Sequence, residues 1–229
     1  MRMLLIRPAG KLRNGHPRRV PIVRDRARKF GPVLQDQVIS IRRDVLITGP
    51  NSSGKTRWLA RLEEKGGQVW TKKERIYLRA LEPLGRWYED PRVVDLAQSK
   101  GLAWSKLKSY ERVEALLDWF VEHKPVLLLD DAHRLTGRKL DIAINLCREA
   151  SIVVVASFEE QATPMSLRML LEKRNPQRIT LKSEAAYDVT SVALWLVILT
   201  SLGAGWWQLA AAVGGMKVLG GGRRASKQN

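Results

Sequence analysis

The sequence predicts an α/β fold built on a parallel sheet, and three observations carry that prediction. Val126-Leu127-Leu128-Leu129 and Ser151-Ile152-Val153-Val154-Val155-Ala156 are short, continuous apolar runs, the pattern of strands covered on both faces. Segments with helical apolar spacing lie between these runs and further strand-like stretches, so strand and helix alternate through residues 44–182. Gly49-Pro50-Asn51-Ser52-Ser53-Gly54-Lys55-Thr56 fits G-x-x-x-x-G-K-[ST] without mismatch and joins a strand-like run to a helix-like one.

Composition sets the outer limits. The chain has 229 residues and is 45% hydrophobic, enough for one α/β domain with a real core and too apolar for disorder throughout. Its single cysteine, Cys147, excludes an internal disulfide, and three scattered histidines give no zinc pattern. The net charge of +17 is unevenly spread, because residues 1–43 hold twelve Lys and Arg against only Asp25 and Asp36. That charge points to an anionic partner for this segment: DNA or another nucleic acid, an anionic lipid surface or an acidic protein.

Taken in order, Met1 to Ile6 is too short an apolar run for a secretory signal. Residues 1–43 read as a basic N-terminal arm, rich in Arg, Lys, Pro and Gly, with a short helix near Arg24 to Phe30 at most. Asp44 to Thr48 is the first core strand and Thr56 to Leu62 the first helix. Arg75 to Leu81 alternates apolar and polar as a second strand, and Asp90-Pro91 caps and opens a helix running toward Gly101. Ser109 to Lys124 has a one-sided apolar stripe, and Pro125 ends it. Leu140 to Ala150 and Ser166 to Lys173 are helical, and Arg178 to Leu181 makes a last short strand.

The loop at 49–56 has a specific chemistry. Gly49 and Gly54 let the backbone turn tightly, so that N–H groups from Pro50-Asn51-Ser52-Ser53 onward converge on phosphate oxygens at a helix N-terminus. Lys55 would reach the β- and γ-phosphates, and the Thr56 hydroxyl would ligate Mg²⁺. The run 126–129 ends in Asp130-Asp131, and an acid at the end of a buried strand is where such sites hold the metal. Asp130 is the candidate Mg²⁺ ligand and Asp131 the candidate for orienting the attacking water. Ser157, at the tip of the next strand, is either a contact to the γ-phosphate or water, or a helix cap. His133 reads as a capping or surface residue. ATP with Mg²⁺ is the cofactor these residues imply.

With those residues in view, the chain resembles the ATPase domain of the AAA+ superfamily of P-loop NTPases. The resemblance rests on the phosphate loop, the 83–101 segment, the long helix after it and Leu127-Leu128-Leu129-Asp130-Asp131-Ala132-His133-Arg134-Leu135. It is most similar to the small bacterial branch of transposition-helper (TniB/MuB-like) and ExeA-type secretion ATPases, over about residues 40–182. The resemblance implies a homo-oligomer, Lys55 and Thr56 as nucleotide ligands, Asp130 on Mg²⁺, Asp131 as water activator and Ser157 as polar sensor. Asp stands at 131 where that family has Glu, which points toward slow turnover or a nucleotide-gated switch. Arg168, Arg174 and Arg178 are candidates for a finger donated to a neighbouring subunit.

After a connector at 183–188, Val189 to Met216 contains no charged residue over 28 positions. That length suffices for a transmembrane helix, with a re-entrant hairpin turning at Gly203-Ala204-Gly205 as the alternative. Residues 217–229 form a basic, disordered tail. The expectation is an ATPase domain facing the cytoplasm at the inner membrane. The alternatives are a soluble, DNA-binding helper ATPase with an apolar docking tail, and a nucleotide-gated scaffold that does not hydrolyse.

Overall fold

The computed structural model describes residues 2–11, 17–26, 33–181 and 200. Its core is a five-stranded, all-parallel sheet of β4 (Val45–Thr48), β5 (Arg75–Arg79), β6 (Val126–Asp130), β7 (Ile152–Ser157) and β8 (Gln177–Thr180). The order is β5-β6-β7-β4-β8, so two strands separate the phosphate-loop strand β4 from β5, the strand that follows it in sequence. This places the C-terminal ends of β6 and β7 beside that of β4, where the site is built.

The apolar runs have a direct explanation in the two faces of this sheet. Leu127, Leu129, Val153 and Val155 enter one apolar cluster, and Val126, Leu128, Ile152 and Val154 enter the other. Successive side chains point to opposite faces, so a strand buried on both must be apolar throughout. The first face is packed by α2 (Leu84–Tyr88), α3 (Pro91–Ser99), α4 (Ser109–His123), α5 (Gly137–Glu149) and α6 (Met165–Lys173). Asp90 caps α3 as its sequence predicts, accepting a hydrogen bond from the Arg92 amide at 3.0 Å.

The second face is covered by α1 (Lys55–Lys65) and by the N-terminal segment, and here the structure corrects the sequence. Where an arm with at most a short helix is expected, β1 (Arg2–Lys11), β2 (Pro17–Arg26) and β3 (Val33–Val38) form an antiparallel sheet in that order. Leu4 lies opposite Val23 in the register, and both are buried with Ile39 in the cluster over β4, β6 and β7. The reason is an apolar face that α1, among the described residues, covers only in part, and the antiparallel sheet adds to the cover. The Trp70 indole ties the segment down by donating to the Ile41 carbonyl at 3.1 Å.

Pro21 shows how the basic, proline-containing β2 can be a central strand. The Pro21 carbonyl accepts from the Ile39 amide at 2.8 Å, on the β3 side. Both backbone groups of a residue in an antiparallel strand point the same way, so on the β1 side no N–H is needed from Pro21. Ladder pairing with β3 ends at Ile22 opposite Val38, so the missing donor breaks no ladder bond.

Among the described residues no helix is long and apolar enough to cross a membrane. The span at 189–216, its connector and the basic tail lie outside the described residues, Thr200 apart.

Candidate nucleotide site

The phosphate loop has the backbone its sequence demands. Gly54, immediately before α1, is left-handed at φ 88°, and Ser52 is left-handed at φ 63°. Gly49 tolerates no side chain, because a Cβ there would stand 2.5 Å from the Leu181 carbonyl oxygen and 2.9 Å from Ser53 Oγ. From Lys55 onward, the first-turn N–H groups of α1 have no intrahelical acceptor and face the loop's interior.

The Lys55 side chain is 6% exposed and folds back on its own loop, donating from Nζ to the Gly49 carbonyl at 2.7 Å and the Pro50 carbonyl at 2.9 Å. Burial lowers its pKa, while the neighbouring carboxylates of Asp131 and Asp130 pull it back up. Ser53 Oγ is buried without a hydrogen-bond partner, an orphaned polar atom inside the loop. A buried ammonium resting on carbonyls, an unpaired hydroxyl and a helix N-terminus together form a receptor for an anion.

The loop opens on a cleft of about 660 Å³. Asn51, Ser52 and Gly54 line it from the loop, and Lys55, Thr56, Arg57 and Ala60 line it from α1. Asp131 and Arg134 enter from the turn after β6, and Leu81 from beyond the tip of β5. Pro50 is exposed at the loop and Ser53 half-buried within it.

The two acids are placed differently. Asp130 is fully buried, with Oδ1 accepting from the Asp131 amide at 2.9 Å and Oδ2 from the Tyr77 hydroxyl at 3.0 Å. Tyr77 in turn accepts from Arg79 Nε at 3.0 Å. Burial pushes the Tyr77 phenol up to about 12, so it stays a hydrogen-bond donor at neutral pH. Asp131 takes a left-handed backbone at φ 54°, which turns its side chain into the cleft. The acid that faces the cleft is therefore Asp131, with Asp130 behind it.

Thr56 and Asp131 are hard oxygen donors lining the cleft, with Asp130 buried behind Asp131. Mg²⁺ keeps several waters and takes phosphate oxygens, so one or two protein oxygens suffice and the residues present fit the ion. No group of three or more His, Cys, Asp or Glu is gathered for a metal among the described residues.

Ser157 is not brought into the cleft. It is fully buried, donates to the Glu159 carbonyl at 3.0 Å and accepts from the Thr163 hydroxyl at 2.9 Å. Its hydroxyl is spent on the turn after β7, and it caps no helix, since α6 follows Pro164 without a side-chain cap. His133 lies in the turn 132–134, and its Nδ1 accepts from the Phe158 amide at 3.3 Å.

The arginine candidates also sort themselves. Arg174 is enclosed: it pairs with Asp44 and donates to the carbonyls of Cys147 at 2.9 Å and Ala150 at 3.0 Å. Arg178 is bidentate to Glu160, and Arg168 lies 3.8 Å from Glu172 on its own helix. Sequence reasoning passed over Arg134 and Arg57, which line the cleft and make no ion pair or side-chain hydrogen bond among the described residues. The signal for Arg134 was its place just beyond the acid pair, on a turn too short to carry it elsewhere.

No protein-family model matches the chain, and no curated protein matches it. Solved structures do. Cdc6p from Pyrobaculum aerophilum is 19% identical with a TM-score of 0.40, over 60% of this chain and 38% of that one. AMPPCP-bound DnaA from Aquifex aeolicus is 17% identical with a TM-score of 0.38, over 62% and 41%. A RuvB mutant from Thermotoga maritima is 15% identical with a TM-score of 0.34, over 61% and 38%. The chain thus spans about two fifths of the length of these proteins.

Proposed function

We propose that this chain is a P-loop ATPase of the AAA+ type that binds ATP and Mg²⁺ in the cleft above residues 49–56 and hydrolyses the γ-phosphate. The observation that carries the reading is the buried Lys55 ammonium, held on its own loop carbonyls beside the cleft-facing Asp131. On binding, Lys55 exchanges two carbonyls for phosphate oxygens, and the first turn of α1 supplies N–H donors. Thr56 would hold Mg²⁺ from the cleft, and Asp130 would join it by giving up its Tyr77 hydrogen bond; the ion would neutralise phosphate charge. Asp131 orients the attacking water, and Arg134 places a cation where negative charge develops.

The same proposal makes the protein a homo-oligomer anchored in the inner membrane by residues 189–216, with the ATPase domain on the cytoplasmic face. Its cycle acts on a DNA or protein partner near the membrane, and the basic N-terminal sheet contacts DNA or anionic lipid. The uncharged length of 189–216 and the charge of residues 1–43 support these parts. A second reading, a nucleotide-gated switch with slow turnover, is favoured by the short Asp131 side chain at the water-orienting position.

ATP turnover of the full chain in detergent tests this, with Lys55→Ala as blank, with and without duplex DNA, at low and moderate salt. Turnover that Lys55→Ala removes supports the ATPase, and stimulation by DNA that salt reverses identifies the partner. Tight ATP binding without turnover, relieved by Asp131→Glu, selects the switch. Equal ATP binding by wild type and Lys55→Ala rejects the nucleotide site.

A further inference from the structure

The backbone of Phe158 is held from both sides. Its N–H donates to His133 Nδ1 at 3.3 Å, and its carbonyl accepts from the Gly49 amide at 3.0 Å. His133 belongs to the short turn that begins at the left-handed Asp131 and carries Asp131 and Arg134 into the cleft. Gly49 opens the phosphate loop and is wedged against the Leu181 carbonyl, where no side chain fits. One residue therefore spans the gap between the turn bearing the acid and the loop built for phosphate. Phe158 itself has little freedom, because Ser157 and Thr163 pin the following turn through the Glu159 carbonyl at 3.0 and 3.3 Å.

We propose that His133 is a positioning residue: through the Phe158 backbone it sets where Asp131 and Arg134 stand relative to a phosphate held by the loop. The inference rests on reading the cleft as a nucleotide site. Three features of the geometry make the histidine suited to it. As an acceptor, Nδ1 carries no proton, so the ring proton sits on Nε2. The imidazole ring also packs against the Phe158 ring, with centroids 6.2 Å apart, which limits its rotation. And the link ends on Gly49 rather than on the helix, so it registers the front of the loop, where Lys55 rests its ammonium. Removing the acceptor leaves the phosphate loop, Lys55 and the first turn of α1 in place, yet frees the turn that carries Asp131 and Arg134. Misplacement of a reacting group by about 1 Å can lower a rate by about a hundredfold, whereas binding need not change.

The experiment uses the full chain, comparing wild type with His133→Ala and His133→Asn, whose Oδ1 can accept where Nδ1 does. ATP affinity, steady-state turnover and Tm are measured for each, with hydrogen exchange at the Phe158 amide in the absence and presence of ATP. The expected result is a fall in kcat of about tenfold or more for His133→Ala, with ATP affinity within about twofold of wild type. His133→Asn restores most of the rate, and ATP slows Phe158 exchange in wild type and His133→Asn but not in His133→Ala. Exchange discriminates even where turnover is slow, and His133→Asn does so if His133→Ala does not fold. Wild-type turnover in His133→Ala, an affinity loss that accounts for the whole rate loss, or exchange indifferent to ATP in wild type overturns the role of His133 alone. A wild type that binds no ATP overturns the nucleotide reading and takes this inference with it.

Discussion

In the parallel sheet, β6 and β7 are buried from end to end, whereas in the antiparallel sheet β1 passes from buried Leu4 through half-buried Ile6 to exposed Arg7. The first sheet has two clusters to fill, one on each face; the second, among the described residues, presents apolar side chains to one of them. That difference decides which residues each can hold. A strand serving two clusters admits no charge until it reaches the site at its end, as β6 does at Asp130. A strand serving one cluster can alternate Val23 with Arg24, whose guanidinium pairs with Asp36 across β2 and β3 at 2.6 Å. The segment with most of the net charge is thus also part of the cover of the core.

Substitutions in the two sheets put this contrast to the test. The largest loss is expected where the parallel sheet is tied at its base: Arg174→Met strands the buried Asp44, which also accepts from the Val153 amide at 2.7 Å. Removing one partner of such a pair destabilises by about 3–5 kcal/mol, read from urea unfolding. Next comes a matched pair of cavities. Leu128→Ala should lie near the top of the range of about 2–5 kcal/mol, because its neighbours on β6 and β7 are fixed from both faces. Leu4→Ala should lie near the bottom, because an outer strand can move in to fill the space. Equal losses from the two would mean that the sheets are equally rigid.

A smaller effect is expected with pH. Burial holds the His133 imidazole below its usual 6.5, so the folded protein disfavours the proton that the unfolded chain accepts. Its contribution is therefore fully present above about pH 6.5 and is lost as pH falls from there through the folded value. Urea unfolding of wild type and His133→Asn between pH 7.5 and 5 should show the wild type losing more. The smallest expected signal is chemical. Burial pushes the Cys147 thiol up to about 12, so iodoacetamide at pH 8 should leave it unmodified until the protein is unfolded.

The reach of the sequence follows the same contrast. The five core strands and all the longer helices were legible, because a run such as Val126 to Leu129 or the stripe on Ser109 to Lys124 is a local pattern with one explanation. The strands β1, β2 and β3 were not. Closely spaced arginines and prolines at 8, 17 and 21 hid the alternation, and what made them fold was a bare face elsewhere in the molecule. The short helix α2 escaped too, since five residues hold too little periodicity to read.

Local sequence was enough for the phosphate loop, the buried strands feeding it and the acid pair at the end of β6, because each depends on neighbours within a few residues. It took the assembled fold to turn Asp131 to the cleft and Asp130 to Tyr77, to line the cleft with Arg134 while enclosing Arg174, and to join His133 to Gly49 through Phe158. These depend on β6 and β7 standing between β4 and β5, and strand order is a property of how distant apolar faces cover one another, which no local pattern encodes.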